Sequence, residues 1–112
     1  MKPVYSHQFI ATAGLSGTGS SVVVPDGLVY VVRFVTAYCS PGAATVNVFF
    51  QDDVSGAALL STSGSSSNDI RFAQDCRFVF DPGHAFHFQV DVSIGFTAAA
   101  DVSASGFVLT LP

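Results

Sequence analysis

Apolar and polar residues alternate most cleanly over residues 78–94, FVFDPGHAFHFQVDVSI. Asp81, Pro82 and Gly83 supply a tight turn: proline presets its own φ, and glycine accepts a positive φ without steric cost. Beyond the turn, Phe86, Phe88, Val90, Val92 and Ile94 fall on one face. Ala85, His87, Gln89, Asp91 and Ser93 fall on the other. A period of two with one apolar face predicts a half-buried strand, so the segment reads as a hairpin.

The same reading runs along the chain. Residues 4–12 predict a first strand, with Tyr5, His7 and Phe9 on one face. Residues 13–21 (AGLSGTGSS) are small and polar and predict a loop or hairpin tip. A strand begins at 22–24 and turns at Pro25, Asp26 and Gly27; the longest predicted strand, 28–40, follows. In it Leu28, Tyr30, Val32, Phe34 and Tyr38 share one face. Val29, Val31, Val35, Ala37 and Cys39 share the other, with Arg33 among them. A strand apolar on both faces is expected at the centre of a sandwich or under a partner subunit. Arg33 is then expected at a rim, in an ion pair with an Asp, or at an interface.

Pro41 and Gly42 break that strand, and residues 45–51 resume the alternation. After a turn at 52–57, residues 58–62 predict a short, weak strand suited to an edge. Residues 63–68 (SGSSSN) read as a loop. Short strands are predicted at 69–73 and 77–81, a connection at 97–100 and a last strand at 101–111. In that last strand the inward candidates change from Val102 and Ala104 to Phe107, Leu109 and Leu111 across Gly106, which predicts a β-bulge at the glycine. In all, about eight or nine strands recur roughly every ten residues between Gly, Pro, Ser and Asp. That spacing predicts an all-β fold: a two-sheet antiparallel β-sandwich with jelly-roll or related Greek-key topology, one domain over residues 1–112.

Composition narrows the reading. Charged residues are only 11% of the chain, well below the usual quarter or so, so some uncharged surface is expected to be covered by other chains. All eight acidic residues are Asp, Lys2 is the single lysine, and the net charge is −4. This balance argues against nucleic-acid binding, which needs a basic stripe. No apolar run approaches the ~18 residues of a membrane-spanning helix. The N-terminal MKPVYSHQFI is not expected to be a signal peptide, so synthesis in a cytosol is expected. Cys39 and Cys76 are then expected as free thiols.

Candidate chemistry is sparse. His87 and Asp91 share a face roughly 13 Å apart along a strand, too far to hold one metal ion. Ser, His and Asp all occur, but the G-x-S-x-G nucleophile elbow does not. Asp52 and Asp53 are adjacent and so point to opposite sides of a strand, unlike the paired carboxylates of a glycosidase. Calcium ligands at Asp52, Asp53, Asp69 or Asp75 would lack EF-hand spacing. Gly-rich residues 14–21 lack the Lys and helix of a phosphate loop. The chain has no Trp, and its three Tyr are explained as strand residues with polar tips. No enzyme activity and no cofactor are expected.

Five stretches carry a resemblance: residues 4–9 (VYSHQF), the Gly/Ser/Thr-rich 14–21, 24–33 (VPDGLVYVVR), 81–86 (DPGHAF) and 101–111 (DVSASGFVLTL). Together the chain resembles small β-sandwich proteins of tailed-bacteriophage virions, such as capsid decoration (cement) proteins. The resemblance implies a non-enzymatic virion protein, assembled in the host cytoplasm and holding the head together by subunit contacts. Its implied partners are copies of itself, with a trimer favoured, and the major capsid protein or other virion proteins. A neck, tail or fibre-attachment protein is the alternative in the same class, and a carbohydrate-binding or adhesin module the alternative in another. Contacts are expected from the N-terminal strand (Tyr5, His7) and from Val29, Val31, Arg33 and Val35 of the long strand.

Overall fold

The computed structural model describes residues 7–40, 44–53, 56, 58–65 and 69–112. Among them lie nine strands and no helix. They are β1 (His7–Leu15), β2 (Gly17–Thr18), β3 (Val22–Val23), β4 (Leu28–Cys39), β5 (Thr45–Asp52), β6 (Ala58–Ser65), β7 (Ile70–Phe80), β8 (Ala85–Val92) and β9 (Ala100–Thr110). All pairings are antiparallel. A four-stranded sheet has the order β1-β9-β4-β7; a five-stranded sheet has the order β2-β8-β5-β6, with β3 also paired to β8. Only β2–β3 and β5–β6 connect within a sheet; every other connection crosses between sheets. This is jelly-roll order, with β2 and β3 sharing one interrupted strand position beside β8. The predicted two-sheet sandwich is the observed fold.

The segment around Asp81, Pro82 and Gly83 is an arch, not the predicted hairpin. β7 pairs with β4 in one sheet and β8 with β5 in the other. Phe80 and Phe86, on either side of the turn, both face the core and stack at 4.4 Å between ring centroids. The turn is clasped by its counterpart near Val24. Gly83 N–H donates to the Val24 carbonyl at 2.9 Å, and Val24 N–H donates to the His84 carbonyl at 2.8 Å. Gly83, at φ 86°, makes the turn possible. Phe86, Phe88 and Val90 are buried as predicted, but β8 ends at Val92, and Ile94 leaves the face to stand fully exposed.

Other expectations are also revised. The Gly/Ser-rich 13–21 is a connection only at Ser16 and 19–21: β1 runs to Leu15, and β2 joins the opposite sheet. The two short strands predicted on either side of 74–76 are one continuous β7. Ser63 belongs to β6, which is the edge strand foreseen but longer. Residues 4–6, 41–43, 54, 55, 57 and 66–68, where the strand start, the Pro-Gly break and parts of two loops were expected, lie outside the described residues.

The bulge is real but sits on a different strand. Opposite β9, β4 carries an extra residue between Val32 and Phe34, namely Arg33. Gly106 pairs with Val32 across from it. Thus β9 keeps its phase and β4 changes face: Leu28, Tyr30 and Val32 pack on the core, then Val35, Ala37 and Cys39. Phe107 and Leu109, predicted inward, pair with the outward Val31 and Val29. The core between the sheets is a cluster of aromatic rings. Phe50 lies 5.1–6.3 Å from Phe88, Phe86, Phe78 and Phe80. Val32, Val35, Val46 and Val90 fill the space around them.

Candidate functional site

Because β4 lies between β9 and β7, its outward side chains form the middle of the four-stranded sheet's outer surface. The bulge at Arg33 decides which these are: Val29 and Val31 before it, Phe34, Thr36 and Tyr38 after it. Around Val31 the register places Phe107 on one side and Val79 on the other, with Leu109 beside Val29. Val29 and Val31 are 7% and 3% exposed although neither belongs to the core between the sheets. Their neighbours remain open, Leu109 at 48% and Val79 at 54%, and Phe34 adds a further exposed ring. Val29, Val31, Phe107, Leu109 and Val79 thus adjoin as an apolar half-face, and Phe34 lies beyond the bulge between Ser105 and Asp75.

The other half of this surface is polar. Thr36 and Ser103 hydroxyls are hydrogen-bonded to each other. The Arg71 guanidinium lies 4.9 Å from the centre of the Tyr38 ring, a cation–π arrangement. The Tyr38 hydroxyl is 3.2 Å from Ser40 Oγ, which donates to Asp69 at 2.9 Å. Asp101 accepts from the Gly14 N–H at 3.0 Å. Thr36, Tyr38, Arg71, Ala73, Asp101 and Ser103 line a shallow open trough of about 460 Å³.

The outer surface of the five-stranded sheet differs. Cross-strand partners there are Asn47 with Asp91, Phe49 with Gln89, and Gln51 with His87, followed by Ser61 and Ser63 on β6. Gln89 donates to Asp91 at 2.9 Å, and His87 Nδ1 pairs with an Asp53 carboxylate oxygen. Phe49, half-buried, is the single large apolar side chain in the row. His87 therefore meets Asp53, not Asp91, and no cluster of three or more potential metal ligands occurs among the described residues.

Of the residues expected to make contacts, Tyr5 lies outside the described residues. His7 is exposed on β1 with its ring 4.8 Å from Phe9. Val29 and Val31 are on the outer face as expected. Arg33 is exposed at the bulge, where Nε donates to the Cys76 carbonyl at 3.0 Å, so its partner is a backbone oxygen. Val35 must be removed from the surface: the bulge turns it inward, and it is 1% exposed in the core. Phe34, turned outward by the bulge, escapes a reading by strict period of two, whereas Val79, Phe107 and Leu109 keep the phase of their own strands. The charged Arg33 in an otherwise apolar row was the signal of the phase change.

The two thiols are free. Cys39 pairs with Ile70 in the β4–β7 register, which leaves Cys76 about 20 Å further along β7 at ~3.3 Å per residue. Burial pushes the Cys39 thiol up, and the Asp101 and Asp69 carboxylates add to the rise. Burial also raises Cys76, with the Arg33 guanidinium opposing and Asp75 reinforcing it. The chain matches no known family model. No curated protein shows significant similarity to it.

Proposed function

We propose that this chain is a non-enzymatic structural protein of a bacteriophage virion, a decoration protein that adheres to the head through the outer face of its four-stranded sheet. The supporting observation is the contrast between the two outer faces. One bears the exposed Phe34, Val79 and Leu109 together with Phe107 around the buried Val29 and Val31, while the other bears amides, hydroxyls and carboxylates around Phe49, with Val23 exposed at its β3 edge. Large apolar side chains left open in a row mark contact surfaces. The jelly roll and the stretches that resemble virion proteins agree with this reading. Fully burying a side chain such as Leu109 or Val79 stabilises by about 1.5–3 kcal/mol before association costs. One patch of this size holds weakly. Repetition of the same contact over a shell, by chains that also contact one another, multiplies it. The partners on this reading are the major capsid protein and further copies of the chain, assembled in the host cytoplasm.

The test is to locate the protein by gold-labelled antibody on particles released from the cells that make it. Labelled heads support the proposal. Label confined to necks or tails moves the chain to the alternative virion role, and particles without label overturn both. A second reading draws on the polar face: Phe49 flanked by Asn47, Gln51 and Gln89 is a ring with hydrogen-bonding groups around it, as a sugar-binding surface requires. A glycan array tests it, with Phe49→Ala expected to abolish any signal and a blank array ending it.

A further inference from the structure

We infer that β7 is a self-pairing edge through which two copies of this chain join their four-stranded sheets into one continuous sheet. This goes beyond the adhesion proposal and does not depend on it. β7 pairs only with β4, so the backbone groups along its other side have no strand partner among the described residues. It runs for eleven residues, IRFAQDCRFVF, without Pro or Lys; its exposed charges Arg71, Asp75 and Arg77 would repel a mismatched strand and admit only one that pairs them. Such an edge is a template for another strand.

The charges of β7 identify the occupant and the register. Its outward side chains are Arg71, Ala73, Asp75, Arg77 and Val79, and Asp81 follows at the turn. A second copy laid antiparallel with its Cys76 opposite Cys76 sets Arg71 against Asp81 of that copy and Asp75 against its Arg77. The twofold axis repeats both pairs. Ala73 then faces Val79, and on the inner side Phe72 faces Phe80 and Gln74 faces Phe78. Every pair keeps its face, so the inner and outer surfaces of the two sheets each run on across the join. Centring the pairing on Gln74, Asp75 or Arg77 instead opposes like charges, which is unfavourable directly across a ladder. Centring on Ala73 matches Arg71 with Asp75 and Arg77 with Asp69, but over a shorter overlap. The remaining edges offer no such code: β6 has no charged residue, β2 and β3 are two residues each, and β1 carries only His7. A twofold interface needs one self-complementary surface, whereas the trimer suggested by resemblance needs two different surfaces that fit each other. β7 is self-complementary.

Charge exchange tests both the pairing and its register by native mass spectrometry and sedimentation velocity. The wild type is expected as a dimer. Asp75→Arg and Arg77→Asp, both at exposed positions, are each expected to weaken the dimer roughly tenfold or more, since like charges then oppose twice. Mixing the two variants restores opposite charges at every pair and is expected to yield heterodimers. A wild type that stays monomeric at its highest soluble concentration, or forms trimers that both substitutions leave intact, overturns the inference. Variants that weaken the dimer without rescue on mixing overturn the Cys76-centred register.

Discussion

Replacing Gly106 with Ala is the sharpest structural perturbation available. A Cβ at this position would sit 1.9 Å from the Val31 carbonyl oxygen, 2.9 Å from its carbon and 3.0 Å from Arg33 N. These are backbone atoms of β4 at the bulge, held by β9 on one side and β7 on the other. No side-chain rotation relieves the overlap, so the strands must separate. Losing one or two ladder hydrogen bonds costs about 1 kcal/mol each. Overpacking strain adds about 1–3 kcal/mol, giving a loss of about 2–5 kcal/mol. Against a typical total of ~5–15 kcal/mol, this lowers the melting temperature by roughly 8–20 °C. Gly14→Ala is the control. Gly14 has φ 71°, and a methyl group added there would meet no atom within 4 Å, so it costs only the left-handed backbone, about 1–2 kcal/mol. Urea unfolding followed by circular dichroism measures both. A Gly106→Ala protein within about 1 kcal/mol of wild type, or no worse than Gly14→Ala, would show that the bulge does not bring the two backbones together.

Other expectations follow from the same packing. Phe50→Ala removes the ring at the centre of the aromatic cluster and is expected to cost about 3–5 kcal/mol in the same assay; a loss under about 1 kcal/mol contradicts the core described here. Cys39, raised by burial, contributes stability that is fully present below the ordinary thiol value of about 8.5 and is lost as pH rises through its higher folded value. The urea midpoint should therefore fall from about pH 8 upwards, less steeply in Cys39→Ala; equal slopes refute the assignment. Cys39, 1% exposed, should also react with a thiol reagent more slowly than Cys76 in the folded protein, and equal native-state rates would contradict its burial.

Much of this architecture was legible in the residues. The alternation through Phe86, Phe88 and Val90 identified the inner face of β8, and short strands recurring between Gly, Pro, Ser and Asp identified a two-sheet sandwich. Pairing partners were not legible, because a short connection such as 81–84 serves a hairpin or an inter-sheet arch equally well. What separates them is that β4 claims β7 and β5 claims β8, a long-range fact. The outer face of β4 was half legible. Val29 and Val31 were placed on it, but a one-residue bulge exchanges every later side chain between faces, so Val35 was wrongly set outside and Phe34 wrongly opposite. The glycine that accommodates the bulge was noticed, yet the extra residue belongs to the strand across from it.

The adhesion proposal stands or falls on which face of the sandwich binds. Particle-binding assays with a Val79→Lys/Leu109→Lys variant and with Gln89→Lys, on the opposite sheet, decide it directly. Removing two apolar contacts worth about 1.5–3 kcal/mol each should weaken attachment of the double variant by roughly a hundredfold or more, while Gln89→Lys binds as wild type does. Full binding by the double variant, or loss through Gln89→Lys alone, would assign adhesion to another surface.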